Sequence, residues 1–146
     1  NAATSIITAV DQFYAEYSAL PDPGTNSDDV EFDTMSANGI NLLKILAGLD
    51  DSGQNARKIR FFSGKEAKNR KDGIEFSADG TSITNMYDPW GRPYYIYLDY
   101  DYDERMVFTP KNMTKVESLN GRRVAVYSLG VTKDDDARQK TLVKTW

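Results

Sequence analysis

Residues 87–94 read Tyr-Asp-Pro-Trp-Gly-Arg-Pro-Tyr, and this block says more about the fold than any other part of the chain. Its two prolines restrict φ and its glycine can adopt backbone conformations that other residues avoid, so the block predicts a rigid turn. Its tryptophan and second tyrosine carry large rings that we expect to be buried between a sheet and a helix. We interpret the block as a structural signature and not as a catalytic motif. Its residues are Asp88, Pro89, Trp90, Gly91, Pro93 and Tyr94.

Aromatic and β-branched residues after this turn predict three antiparallel strands. The first is expected at 93–98 and the second at 105–108, with Asp103 and Glu104 in the turn that joins them. The third is expected at 123–129, shortly after the pair Asn120-Gly121, which is typical of tight turns. We therefore expect consecutive strands to pair with each other.

Residues 2–19 predict an amphipathic helix. Apolar side chains recur there at spacings of three and four residues, which places them on one face of an α-helix. These side chains are Ala3, Ile6, Val10, Phe13 and Tyr17. The segment 20–24, which reads Leu-Pro-Asp-Pro-Gly, ends the helix. The pattern fits either an ordinary helix packed on a sheet or the lower half of a longer helix.

A second helix is predicted around the apolar segment 40–49. Ser36 or Asn38 can act as its N-cap, because both side chains can accept a hydrogen bond from the first turn. Gly48 stands near its end, where glycine favours a left-handed cap.

Polar segments flank this second helix. We interpret residues 22–37 as a loop and residues 52–73 as an irregular connector. Helices followed by antiparallel strands predict an α+β fold, with the N-terminal helix packed on a small antiparallel sheet of about three to four strands. The length of 146 residues fits a single domain, residues 1–146.

The composition narrows the possible chemistry. The chain has no cysteine and no histidine, which excludes disulfides, thiolate nucleophiles and catalytic triads of the Ser-His-Asp type. A metal site would have to consist of oxygen ligands, which favour calcium or magnesium. The net charge of −4 argues against nucleic acid as a partner, because such binding needs a basic face. We interpret a local basic patch as a solvated or partner-facing surface; it comprises Arg57, Lys58, Arg60, Lys65, Lys68, Arg70 and Lys71.

The signature block resembles the Asp-Pro-Trp-Gly-x-Pro-Tyr motif of the major pseudopilins of type II secretion systems. Other segments are similar to the same family in the same order. Residues 13–21 resemble its helix end, residues 42–48 its second helix, and residues 124–130 its last strand, while Trp146 resembles its terminal tryptophan. The resemblance covers most of the chain, with a divergent insert at about residues 52–80.

The resemblance implies a type IV pilin-like fold, in which residues 2–19 form the lower half of a long helix. An apolar upper half, absent from this sequence, would anchor the subunit in the bacterial inner membrane after prepilin peptidase cleavage and methylation. The head would lie in the periplasm and polymerise with copies of itself, with minor pseudopilins and the inner-membrane secretion machinery as partners. No apolar run here reaches the roughly 20 residues that span a bilayer. The chain begins at Asn1 without methionine, which we interpret as a trimmed N-terminus.

The resemblance also implies a calcium site between the last strand and the C-terminus. Its candidate ligands are Ser128, Asp134 and Asp136, together with backbone carbonyl groups. Residues 131–133 read Val-Thr-Lys where the family carries a further aspartate and a glycine-rich stretch, so the ligand set is incomplete. The alternative is that these aspartates cap a short C-terminal helix.

A second acidic group consists of Asp99, Asp101 and Asp103, whose side chains would share one face of a strand. Carboxylates this close repel each other unless a cation or a basic side chain lies between them. An EF-hand is excluded, because Glu104 stands where that loop needs glycine and Pro110 where it needs glutamate. We interpret the group as a solvated hairpin end, or as assistance to the C-terminal calcium site.

Three functions remain open. The first is a structural subunit of a type II secretion pseudopilus, which helps to export folded proteins, and the second is a pilin-like subunit of another filament. The third is a free extracytoplasmic binding module, in which tyrosines could hold sugars; they are Tyr94, Tyr95, Tyr97, Tyr100 and Tyr102. Paired carboxylates are also typical of glycosidases, but no feature indicates a cleft or an acid with a raised pKa, so we expect no enzymatic activity.

Overall fold

The structure is a computed structural model, and it describes residues 2–49, 52–111, 113–129 and 143–146. The layout is α+β, with an N-terminal helix and several small antiparallel sheets, which confirms the predicted fold class. No helix within the described ranges is long and apolar enough to cross a membrane. The elements in chain order are α1 (Ala2–Tyr17), β1 (Val30–Asp33), α2 (Ala37–Ala47), β2 (Gly73–Phe76), β3 (Ile83–Tyr87), β4 (Tyr95–Leu98), β5 (Arg105–Phe108), β6 (Glu117–Asn120), β7 (Val124–Ser128) and β8 (Val143–Lys144).

The largest sheet has four antiparallel strands in the order β1-β4-β7-β8. Alternate side chains of a strand point to opposite faces, so the two central strands contribute to two separate hydrophobic clusters. Ile96 and Val126 belong to the cluster on one face. Tyr95 and Tyr127 belong to the cluster on the other face. The sheet is therefore covered on both sides.

The helix α1 packs against β7 on the first face of this sheet. The residues of α1 that are buried are Ala3, Ile6, Ala9, Val10 and Phe13, which is the predicted apolar stripe with Ala9 added and with Tyr17 only half-buried. The helix ends at Tyr17, before the predicted end at residue 19, and Ser18 follows it with a left-handed φ of 54°.

The helix α2 lies beside α1, and its caps agree with the sequence. Ser36 is the N-cap, and its hydroxyl oxygen accepts a hydrogen bond from the backbone N–H of Gly39 at 3.3 Å. Gly48 ends the helix with a left-handed φ of 76°. Asn38, the alternative cap, lies inside the helix instead.

Two segments that we interpreted as lacking regular structure contain strands, and β3, β6 and β8 were not predicted either. The loop predicted at 22–37 is wrong at β1, which forms an edge of the main sheet by pairing with β4. β2 lies at the end of the segment that we interpreted as connector and insert, and it forms a two-stranded sheet with β3. The pairing of β1 with β4 joins residues far apart in sequence, with Val30 opposite Leu98, so the local sequence does not reveal which strand is the partner of β1.

The predicted hairpin between 93–98 and 105–108 is wrong. β5 pairs with β6, whereas β4 pairs with β1 and β7. The β5–β6 hairpin lies across the second face of the main sheet, because its buried residues Met106 and Phe108 complete the cluster there. The Phe108 ring stacks on Tyr97 with 4.4 Å between ring centroids.

Candidate functional site

The signature turn, residues 87–94, is organised by the carboxylate of Asp88. This side chain is fully buried, and its Oδ1 accepts hydrogen bonds from the backbone N–H groups of Trp90 at 2.9 Å and Arg92 at 2.8 Å. The N–H of Gly91 donates to the carbonyl oxygen of Asp88 at 3.0 Å. Gly91 has a left-handed φ of 85°, and a Cβ at this position would lie 3.1 Å from a backbone carbonyl oxygen. The block thus forms the predicted rigid turn.

The two aromatic residues of the signature turn have different environments. Tyr94 is buried in the first hydrophobic cluster, as expected. Trp90 is 41% exposed, so the prediction that its ring is buried is wrong. The turn is held to the core by Thr34, whose Oγ1 accepts a hydrogen bond from the N–H of Tyr94 at 2.9 Å and donates to the carbonyl oxygen of Met86 at 3.0 Å. No local sequence pattern marks this fully buried threonine.

Ser128 is the one predicted calcium ligand within the described residues, since Asp134 and Asp136 lie outside them. Ser128 is fully buried at the end of β7, close to Asp88. Burial raises the pKa of the Asp88 carboxyl, and the Ser128 hydroxyl is among the groups that lower it. Within the described chain, however, neither Asp88 Oδ2 nor Ser128 Oγ makes a hydrogen bond of normal geometry.

A cluster of four aspartates lies near the opposite end of β7. One carboxylate oxygen of each residue lies within 4.8 Å of those of the other three. The members of this aspartate cluster are Asp29, Asp99, Asp101 and Asp103. The N–H of Asp99 donates to the carbonyl oxygen of Arg123, just before β7, so the length of that strand, roughly 13 Å, separates the cluster from Ser128. The cluster and Ser128 cannot bind the same ion.

The register of the sheet brings Asp29 to the other three aspartates. β1 and β4 are antiparallel, with Val30 opposite Leu98. The residue that precedes β1 must therefore meet the residue that follows β4, and these are Asp29 and Asp99. Sequence reasoning found Asp99 and its neighbours from their spacing, but it missed Asp29 because it missed β1.

The loop between β4 and β5 bends around the aspartate cluster. The N–H of Glu104 donates to Asp99 Oδ2 at 2.7 Å, and the N–H of Asp103 donates to Asp101 Oδ1 at 3.2 Å. Tyr102 and Glu104 have left-handed φ values of 59° and 57°. The three aspartates of the loop thus meet through a bent backbone and not along one face of a straight strand.

The electrostatics of the aspartate cluster favour a bound positive charge. Burial is the main reason that the pKa of Asp99 is raised to about 7, and Asp101 and Asp29 raise it further. Burial also raises the pKa of Asp29, whereas hydrogen bonding to Asp99 lowers that of Asp101. None of the ion pairs in the described part of the chain includes a cluster member. Asp99 therefore takes up a proton as the pH falls through about 7, and a cation bound between the carboxylates would compete with that proton.

The tyrosines that suggested sugar binding do not form an exposed surface. Tyr94, Tyr95 and Tyr100 are buried, and Tyr97 is half-buried. Only Tyr102 of these five has a largely exposed ring, with 48% of the residue accessible. A flat aromatic platform needs several exposed rings side by side, so this strand does not supply one.

A cavity of about 410 Å³ lies where the start of α1 meets the β2–β3 hairpin. Much of its lining is apolar, with contributions from Phe62, Ile74 and Tyr94. The two charged residues in its lining, Lys65 and Asp72, form an exposed ion pair with each other. The cavity is therefore lined mainly by apolar groups, and the two charged side chains at its wall are paired with each other.

No protein-family model matches this chain, and no curated protein or solved structure matches it significantly.

Proposed function

We propose that the chain is the head of a structural subunit of a type II secretion pseudopilus, and that it is not an enzyme. In this role an apolar helix preceding Asn1 anchors the subunit in the bacterial inner membrane, and the head lies in the periplasm. Copies of the subunit polymerise, with minor pseudopilins and the inner-membrane secretion machinery as further partners. The filament helps folded proteins to leave the cell.

The observation that carries this proposal is the placement of α1. One stripe of the helix is buried against the main sheet, and its opposite face is exposed. The residues of that exposed face include Thr4, Asp11, Gln12, Ala15 and Glu16. A pilin-like subunit needs this arrangement, because its helix must pack on its own head and also contact the helices of neighbouring copies.

The signature turn gives further support. Residues 87–94 resemble the pseudopilin motif, and two residues of that motif, Asp88 and Gly91, stabilise the backbone conformation of the turn. Asp88 accepts backbone hydrogen bonds and Gly91 adopts a left-handed conformation. A motif of this kind maintains a shape and needs no substrate. The burial of most of the tyrosines also argues against the binding-module alternative.

The native N-terminus provides the most direct test. The protein would be purified from a membrane fraction of the producing cells, and its N-terminal peptide read by mass spectrometry. We expect roughly 20 apolar residues running into Asn1 behind a methylated first residue. A soluble protein that starts near Asn1 after an ordinary signal peptide would contradict the filament and favour a free binding module.

Cross-linking in cells tests polymerisation separately. The chain has no cysteine, so a single introduced cysteine is unique. Gln12→Cys places it on the exposed face of α1, and Ser118→Cys places it on the exposed side of β6, in the layer on the other face of the sheet. With a bifunctional maleimide, we expect a ladder of oligomers from the first variant and far less from the second. If both variants stay monomeric after cross-linking, the result would contradict the packing of neighbouring copies through α1.

A pilin-like subunit of another filament, such as a type IV pilus or a competence-like system, is supported by the same helix placement. Deletion of the gene separates these alternatives. Retention of normally exported folded proteins in the periplasm supports type II secretion. Normal export with loss of surface pili or of DNA uptake assigns the subunit to the other filament.

A further inference from the structure

We propose that the aspartate cluster is a calcium site that fastens the loop after β4 to the segment before β1. Its ligands are one carboxylate oxygen each from Asp29, Asp99, Asp101 and Asp103. The site is separate from the C-terminal calcium site that the resemblance implies, and it does not depend on the filament function.

The spacing of the four oxygens fits calcium. Oxygen ligands lie about 2.3–2.6 Å from this ion, so two oxygens on opposite sides of it are about 4.6–5.2 Å apart. All four oxygens of the cluster lie within 4.8 Å of one another. Magnesium holds its ligands closer, at about 2.0–2.1 Å, and is usually bound by one or two carboxylates with several waters. Four converging carboxylates are therefore typical of calcium.

A buried carboxylate oxygen without a partner points independently to a ligand. Asp99 is fully buried, and its Oδ2 is occupied by the N–H of Glu104, whereas its Oδ1 has no hydrogen-bond partner in the described chain. Oδ1 of Asp29 is likewise buried and unpartnered there. Buried polar atoms are rarely left in this state, because losing water without a replacement is costly. A cation between these carboxylates would satisfy both oxygens.

Among the described residues, no ion pair neutralises the charge of the cluster. The nearby basic residue Arg123 is engaged elsewhere, since it pairs with Glu104 at 3.4 Å and lies over the ring of Tyr14. No lysine or arginine is among the leading influences on the pKa of Asp29, Asp99 or Asp101. Within the described part of the chain, then, no basic side chain pairs with the cluster, and a cation from solution would supply the balancing charge.

Calcium bound here would stabilise more than the loop itself. Tyr100 donates a hydrogen bond from its hydroxyl to the carbonyl oxygen of Pro21 at 2.8 Å, and the N–H of Leu20 donates to the hydroxyl oxygen of Tyr102 at 2.9 Å. Both bonds tie the loop after β4 to the chain that leaves α1. An ion in the cluster therefore fixes the exit of α1, the segment before β1 and this loop together.

The first experiment is thermal unfolding of the purified protein with calcium chloride and with a chelator. A ligand that binds only the folded state raises the melting midpoint, by roughly 5–10 °C at a calcium concentration about 100 times the dissociation constant. Terbium luminescence gives a second readout, because Tyr100 and Tyr102 lie next to the proposed ligands and can sensitise a bound terbium ion.

Variants assign the effect to the cluster. Asp29→Asn and Asp101→Asn each remove one ligand charge, and we expect the calcium shift to fall by at least half and terbium emission to fall with it. Asp28→Asn is the matched control, since this exposed aspartate is adjacent to Asp29 but lies outside the cluster. It should retain the full shift. Circular dichroism of each variant in chelator verifies that it is folded.

A double variant, Asp134→Asn with Asp136→Asn, distinguishes this site from the C-terminal one. The proposal is supported if the double variant keeps a calcium shift that Asp29→Asn and Asp101→Asn lose. It is overturned if calcium causes no shift in the unchanged protein. It is equally overturned if the shift is lost in the double variant and remains complete in both Asp29→Asn and Asp101→Asn.

Discussion

Asp88 is a residue whose identity is set by the backbone around it. Its carboxylate accepts hydrogen bonds from the backbone N–H groups of Trp90 and Arg92 in the signature turn. A carboxylate can serve two donors with one oxygen because its lone pairs diverge. The sequence suggested a rigid turn through its prolines and glycine, but the acceptor role of Asp88 depends on the folded geometry.

Replacement of this carboxylate should therefore destabilise the protein. For Asp88→Ala we expect a loss of about 2–3 kcal/mol in the free energy of unfolding, because two backbone donors lose a charged acceptor. Denaturant unfolding monitored by tryptophan fluorescence measures it. Asp79→Ala is the control, since Asp79 makes a similar turn with Ser77 and Thr81 at an exposed site and should matter less. Equal losses of unfolding free energy in the two variants would show that the burial of Asp88 adds nothing to the stability that its hydrogen bonds provide.

At the scale of single elements, the helix ends could be predicted because their signals are local. Ser36 caps α2 and Gly48 ends it, and each does so through atoms a few residues away. The strand β1 could not be found in this way. Its four residues, Val-Glu-Phe-Asp, do alternate between apolar and acidic side chains, but the run is short and lies in a polar segment that we interpreted as a loop, and its partner β4 is distant in sequence. Asp29 was missed for the same reason.

The cap of α2 can be tested by removing its hydroxyl. Ser36→Ala should lower the free energy of unfolding by about 0.5–1 kcal/mol, because the 3.3 Å bond to the N–H of Gly39 is long. Ser36→Asp should restore most of this loss, since aspartate caps helices as well as serine does. If alanine and aspartate behave alike in denaturant unfolding, the side chain of Ser36 does not cap the helix.

The edge strand β1 carries a partly buried acid, Glu31, that accepts a hydrogen bond from the hydroxyl of Tyr127. Burial raises its pKa above the usual value of 4.5, and the Tyr127 bond only partly offsets this. The folded state therefore holds the proton more tightly than the unfolded state. The stability that protonated Glu31 contributes is complete below pH 4.5 and is lost as the pH rises through the raised pKa.

Glu31→Gln keeps the size of the side chain and an oxygen for Tyr127, but it cannot ionise. The melting midpoint of this variant, relative to the unchanged protein, should rise as the pH increases from 4.5 through the raised pKa of Glu31. Glu75→Gln is a control with the opposite sign, since hydrogen bonding, chiefly from Asn85, lowers the pKa of Glu75. Its effect should be small, because Glu75 lies near the surface. A pH-independent difference for Glu31→Gln would contradict the assignment.

At the scale of the whole molecule, one sheet separates two hydrophobic clusters, with the helices on one face and the β5–β6 hairpin on the other. The α+β class followed from the order of helical and strand patterns, but the two-sided sheet did not. Strands that follow each other in sequence usually pair, and for this reason we wrongly predicted that β5 pairs with β4. The places beside β4 belong to β1 and β7, which come from distant parts of the chain.

Tyr100 links distant parts of this architecture, because its buried hydroxyl donates to the carbonyl oxygen of Pro21. Tyr100→Phe leaves that carbonyl without its partner and should lower the free energy of unfolding by about 1–2 kcal/mol. Tyr97→Phe is a matched control on the same stretch of chain, since its ring is only half-buried and stacks on Phe108 through a face that the substitution keeps. The two variants would be compared by denaturant unfolding, and equal effects would contradict the link.

The strand order β1-β4-β7-β8 also determines when the chain can fold during its synthesis. The apolar stripe of α1 is synthesised well before β7, the strand that covers it. Contacts between such distant segments form slowly, since the long intervening loop must be closed before any pairing rewards it. The main sheet therefore cannot form from the N-terminal part of the chain alone, and α1 leaves the ribosome with its apolar stripe still uncovered. A chaperone can bind the chain throughout that interval.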